Sequence, residues 1–319
     1  MTMPHTGWLV GLAVAVAGIA GCDADDTEAV EVGDREVDAN GFRLNGFRLN
    51  GFRLNGFRLN GQVLSDGDDA IRLDEIRLAK GSKKQTAITS AWLVGSELRA
   101  HTDDGKQLTG HQLKGVEFVF VVEEDGVSTR KTVRIDRVKH LPGSGLRVYD
   151  LEIRAEHGPW QPLCLDSQGE PTDAILLDGV WDPATGDRVA PGPGQAMTFA
   201  CRDAALAKCV EWGYHPWASA DGVPLADHHQ ACTRAARADY CGDGVPHTYD
   251  GVEIHVLDQL GIQTDEGDYK VEAEWGPDGA RCLNAANTRL PDPENACELP
   301  ACGAAFASGG LIQTGVPTP

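Results

Sequence analysis

Positive charge is scarce: 28 Lys+Arg stand against 48 Asp+Glu, for a net charge of −20. Nucleic acid is therefore not an expected partner, because binding phosphates needs a basic face. The N-terminal apolar run, Trp8 to Ala20, has 13 residues, short of the roughly 20 that cross a bilayer. No cysteine lies between Cys22 and Cys164, and there is no Cys-x-x-Cys; the closest pair is Cys297-x4-Cys302. A thiolate zinc site therefore lacks its usual spacing. His-Glu-x-x-His and Gly-x-Ser-x-Gly are both missing, and Leu141-Pro142-Gly143-Ser144-Gly145 reads as a turn. Nothing calls for a cofactor, and the balance leans away from an enzyme.

The chain has 319 residues, enough for two average domains. Residues 1–21 read as a signal peptide. They end in Ile19-Ala20-Gly21-Cys22, which resembles the lipobox of bacterial lipoproteins. That resemblance implies a thioether lipid on Cys22 and a membrane anchor facing the periplasm or exterior of a Gram-negative-type cell. Residues 23–38 hold eight acids and one Arg, and a solvated tether is expected over 22–39. Asn-Gly-Phe-Arg-Leu then occurs four times over residues 40–59, and the pentad continues with Ile for Phe in Asp69–Leu73 and Asp74–Leu78. A pentapeptide-like stalk is expected over 40–85, its last pentads packed on the domain behind. Four pentads are too few for a β-helix with its own core. Asp66-Gly67-Asp68-Asp69 has a calcium-loop flavour but lacks the closing Glu, and is read as a turn.

A β-domain is expected over 86–160, with strands at Ile88–Leu98, Val116–Glu123, Val127–Val138 and Leu146–Ala155 separated by Gly-containing turns. A cysteine-rich α+β domain follows over 161–302, with a tail at 303–319. It carries strands near 176–182 and 197–200. Two helices follow, Ala204–Trp212 capped by Asp203 and closed by Gly213, and His228–Tyr240 capped by Asp227 and closed by Gly242. Strands at Val252–Val256 and Tyr269–Trp275 complete it. Apart from Cys22 the cysteines are Cys164, Cys201, Cys209, Cys232, Cys241, Cys282, Cys297 and Cys302. Eight is even, and in an oxidising compartment four disulfides are expected. Cys164 with Cys201 is one expected pair; another bond is expected among Cys209, Cys232 and Cys241.

The second helix runs into Ala238-Asp239-Tyr240-Cys241-Gly242-Asp243-Gly244. This string resembles the signature of the ADYC domain, a bacterial family. Phe199–Arg202, Ala205–Val210, Trp212–Tyr214, Pro216-Trp217, His229–Arg234 and Trp275–Ala280 resemble its other blocks. The likeness covers about residues 145–285. It implies a secreted protein or lipoprotein, and carries no catalytic assignment.

Three candidate sites remain. His228, His229 and His247 with Asp239 are the metal candidates, near His215, Asp227, Asp243 and Asp250; adjacent residues on a helix point about 100° apart, so cap and surface roles compete. Trp212, Tyr214 and Trp217 can stack on sugar rings or serve as core. The cysteines are expected in bridges and not as nucleophiles. The expected function is binding or adhesion at the cell envelope, with an envelope polysaccharide or protein as partner. The alternative is a metal-dependent hydrolase of envelope or extracellular polymers.

Overall fold

The computed structural model describes residues 43–44, 57–58, 70–80, 84–124, 127–182, 184–189, 196–290 and 297–318. The signal segment, Cys22, the acidic tether and Asp66–Asp69 lie outside them. The fold is antiparallel β with two helices. The long strands are β1 (Ala70–Lys80), β2 (Lys84–Val94), β3 (Glu97–Thr102), β4 (Gln107–Thr109), β5 (Val116–Glu124), β6 (Val127–His140), β7 (Arg147–Ala155), β8 (Ala174–Asp178) and β9 (Ala196–Cys201). Helices α1 (Ala205–Glu211) and α2 (Ala226–Arg237) follow, then β10 (Glu253–Asp258), β11 (Tyr269–Gly276), β12 (Gly279–Leu283) and β13 (Ile312–Pro317).

An 11-stranded sheet runs β9-β8-β7-β6-β5-β1-β2-β3-β4, with Phe57–Arg58 beside β9 and Gln161–Pro162 beside β7. A five-stranded sheet runs β10-β13-β11-β12, with Arg43–Leu44 on its β10 edge. Alternation in β5 explains the first core. Val116, Phe118, Phe120 and Val122 point into it, and Phe118 and Phe120 both pack edge-on against Phe199 of β9. The boundary expected at 160/161 therefore does not divide the structure. β8 and β9 extend the sheet begun by the expected β-domain, because their fully buried Ala174–Leu177 and Ala196–Cys201 need cover on both faces. The described residues form one compact unit.

The boundary at 85/86 fails for a related reason. The last two pentads do pack on the domain behind, as expected, but as β1, a strand of its sheet between β5 and β2. A five-residue repeat is odd, so on a regular strand successive Leu side chains would face opposite ways. A register shift between Leu73 and Glu75 inserts one extra residue. That bulge returns Ile76 and Leu78 to the same core as Ile71 and Leu73.

Smaller corrections have local causes. Ile88–Leu98 is two strands, since Gly95 turns the chain at φ 62. Asp203 and Asp227 are not the caps; Ala204 and Leu225 occupy the cap positions. Asp203 instead approaches Lys208, while Asp227 sits in the first turn of α2, where a carboxylate meets the positive helix end. Gly213 does follow α1 at φ 97, but α2 ends at Ala238, in the left-handed region at φ 51, before Gly242 is reached.

The disulfides are Cys164–Cys201, Cys209–Cys232, Cys241–Cys297 and Cys282–Cys302. The first joins the end of β9 to the loop after Gln161–Pro162. The second clamps α1 to α2. Cys241, past the end of α2, reaches the C-terminal segment.

Deleting Asp74 tests the bulge. It removes the extra residue itself, so Leu73, Glu75 and Ile76 alternate as on a regular strand, and Ile76 and Leu78 keep facing the core. The expected loss is small, about 1 kcal/mol or less, the scale of the exposed ion pairs that Asp74 makes with Arg72 and Arg130. Deleting residues 40–59 removes only two-residue edge pairings among the described residues and should shift the thermal transition by a few degrees. A loss of about 3 kcal/mol or more on deleting Asp74, the scale of emptying a buried Leu site, would contradict this reading of the repeat.

Candidate functional site: the Ala-Asp-Tyr-Cys turn

The turn after α2 is where the most chemistry converges. Asp239 is fully buried and accepts from Arg234 Nη1 at 2.5 Å and from the Gly244 N–H at 3.1 Å. Arg237 lies 3.7 Å away. Burial pushes the Asp239 carboxyl up, opposed by Arg234. Arg234 is itself buried, and its guanidinium also donates to the Thr185 and Pro277 carbonyls and to Asp187. One ion pair thus ties α2 to the 184–187 loop and to the β11–β12 turn. Arg237 donates to the Gly244 carbonyl and accepts no role in solvent.

Tyr240 carries the turn into the second core. Its hydroxyl donates to Glu272 Oε1 at 2.7 Å, and its ring stacks on Trp275 and His247 at 5.3 and 5.4 Å. Glu272 is fully buried and held by Arg289 at 2.8 Å and by the Thr314 hydroxyl at 2.7 Å. Burial and the Glu272 charge push the Tyr240 phenol far up, so it stays a donor. Its backbone carbonyl accepts from the Ala280 N–H at 2.9 Å. Gly242 and Gly244 are required by crowding: a Cβ would lie 1.9 Å from the Asp278 carbonyl oxygen or 2.0 Å from that of Ala184. Cys241 completes the turn through its bridge to Cys297.

The metal candidates do not converge. Asp239 is taken by Arg234 and Gly244, and His247 lies flat on Tyr240. His229 bonds the Leu206 carbonyl through Nε2 at 3.0 Å and packs edge-on to Trp181. His228 stacks on Tyr214. Among the described residues no three His, Cys, Asp or Glu side chains are placed to share an ion. The aromatic candidates are not an open platform either. Tyr214 is fully buried and donates to Asp258 at 2.8 Å, Trp212 joins the same core, and Trp217 packs beside Gly95 and stacks on His215. Trp212 and Tyr214 share a core with the Cys209–Cys232 bridge, whereas Trp217 packs against a separate cluster with Leu206 and Val210.

One feature escaped the sequence. Arg77, Glu117, Arg134 and Glu152 are register neighbours across β1, β5, β6 and β7, and form a charge ladder on the face opposite the core. Charged residues alternating with apolar ones in β5 and β6 carry the signal, but cross-strand register is needed to read it.

The structure defines a disulfide-clamped antiparallel β protein with a helical pair. The ADYC domain family model matches residues 110–289, and the chain belongs to that family. The match starts well before the likeness seen around the signature, in keeping with a sheet that crosses residue 160. No curated protein and no solved structure matches the chain.

The buried histidine gives a pH test. Burial pushes His229 down to about 4 from an ordinary 6.5. The unfolded chain takes up that proton below pH 6.5, whereas the folded one waits until about pH 4. Stability is therefore lost as pH falls through that window, by about 3 kcal/mol. His229→Gln keeps a donor for Leu206 and cannot titrate. Urea titrations at pH 7 and pH 4 should show a shallower acid loss in the variant; equal slopes would contradict a buried neutral imidazole.

Proposed function

We propose that the protein is a lipid-anchored envelope module that binds without catalysis. The observation that carries this reading is the internal use of the signature: Asp239, Tyr240 and Cys241 bond to Arg234, Glu272 and Cys297. A catalytic acid, base or nucleophile must instead face a substrate. Four disulfides favour an oxidising compartment outside the cytoplasm. The lipobox at Cys22 supports anchoring there, and the acidic segment 23–38 would hold the fold off the membrane by its own repulsion. A metal-dependent hydrolase would need two imidazoles and a carboxylate in one cleft, and His228, His229 and His247 have separate packing partners.

The test combines fractionation with envelope binding. The native chain should partition into detergent and label with lipid, and Cys22→Ala should do neither. The purified full chain should be retained by isolated envelope polymers without releasing soluble fragments. Fragment release on prolonged incubation, or a Cys22→Ala protein still in the detergent phase, would overturn the respective half of the proposal.

A further inference from the structure

The outer face of the large sheet carries a groove of about 610 Å³, of the size that takes small ligands, lined by Lys114, Glu117, Arg134, Asp136, Arg154 and Trp160. All six lie within the span matched by the family. We infer that this groove binds an acidic saccharide, a sugar chain bearing carboxylates. The inference rests on the binding reading above and names its ligand class.

The argument starts from the sheet. β6 and β7 place Arg134 opposite Glu152, and Arg154 one pair further along the same face, opposite Thr132. Trp160 returns over them just before Gln161–Pro162 pairs with β7. Its ring lies 4.0 Å from the Arg134 guanidinium and 4.3 Å from that of Arg154. Both cations are held by the indole, so less side-chain freedom is lost when they bind. They differ in charge balance. Arg134 is neutralised by Glu152. Arg154 has no carboxylate partner among the described residues, and its fork of N–H donors matches a carboxylate.

The rest of the lining selects the ligand class. Glu117 is bound to Arg77 at 2.8 Å and Asp136 to Lys114 at 3.3 Å. These carboxylates accept hydroxyl hydrogens, and the paired cations donate to sugar oxygens. A dense polyphosphate would meet them as like charges on a chain of net −20. A ligand with many hydroxyls and one carboxylate per ring answers both sets of groups.

Calorimetry of the detergent-solubilised full chain, with oligogalacturonate as probe, decides this. Its carboxyl-reduced neutral counterpart and inorganic polyphosphate serve as comparisons. We expect oligogalacturonate to bind and the other two to bind at least about tenfold more weakly, the scale of one charge-assisted pair. Arg154→Gln should weaken oligogalacturonate by about tenfold with an unchanged thermal transition. Trp160→Leu, which releases both guanidiniums, should also weaken it, and Lys270→Gln, exposed on β11 of the other sheet, should not. No binding of oligogalacturonate, equal affinity for polyphosphate, or an Arg154→Gln chain that binds as the wild type would overturn the inference. If that variant is unchanged while the chain still binds isolated envelope, this groove is wrong and the binding function stands. If the chain binds neither, both fail.

Discussion

The pairing of Arg234 with Asp239 is the constraint around which the C-terminal half is arranged. Neither group reaches water. A lone charge there would cost several kcal/mol, so each requires the other, and every remaining donor of Arg234 requires an acceptor. Those acceptors come from two separate segments, Thr185 and Asp187 in one loop and Pro277 in another. The position of α2 is thereby fixed against a loop of the first sheet's half and a turn of the second sheet. Tyr240 repeats the logic one residue on, through Glu272, Arg289 and Thr314. The family's four letters are thus residues of a clamp: a left-handed helix end, a buried anion, a buried donor and a bridge.

This arrangement leaves the outer face of the large sheet to the binding proposed above. The clamp uses its polar atoms internally, while the ladder from Arg77 to Glu152 leads to Arg134, Arg154 and Trp160 at the groove. Rigid strands hold these side chains in register, which suits binding more than a loop would. On the proposed reading, stability and recognition reside in different parts of one molecule, the first in buried pairs and the second in half-exposed ones.

Sequence pattern exposed the local elements well. The apolar alternation of Val116–Val122, the strand of Tyr269–Trp275 and both helices are formed, and the pairing of Cys164 with Cys201 could be anticipated from the loop they flank. What stayed hidden depends on register or on distant partners. The bulge at Asp74 was not visible, although an odd period on a strand demands one, because the pentads read first as a stalk. The single sheet across residue 160 was not visible because cysteine content changes there and suggests a domain break. The tight cluster Trp212, Tyr214 and Trp217 looks the same in sequence whether it is core or platform; only burial separates the two. Arg134 and Arg154 gain meaning only once Trp160 folds back across them.

The central claim is that the signature holds the fold together through a buried ion pair. A double-mutant cycle in urea, with Arg234→Met, Asp239→Asn and the combined variant, measures it most directly. Each single change should cost about 3–5 kcal/mol, because it strands the opposite charge or its donors. The double variant should cost less than the sum, with a coupling of about 2 kcal/mol or more. A coupling within about 0.5 kcal/mol of zero, the range of independent sites, would contradict the account and return Asp239 to the pool of residues free to do chemistry.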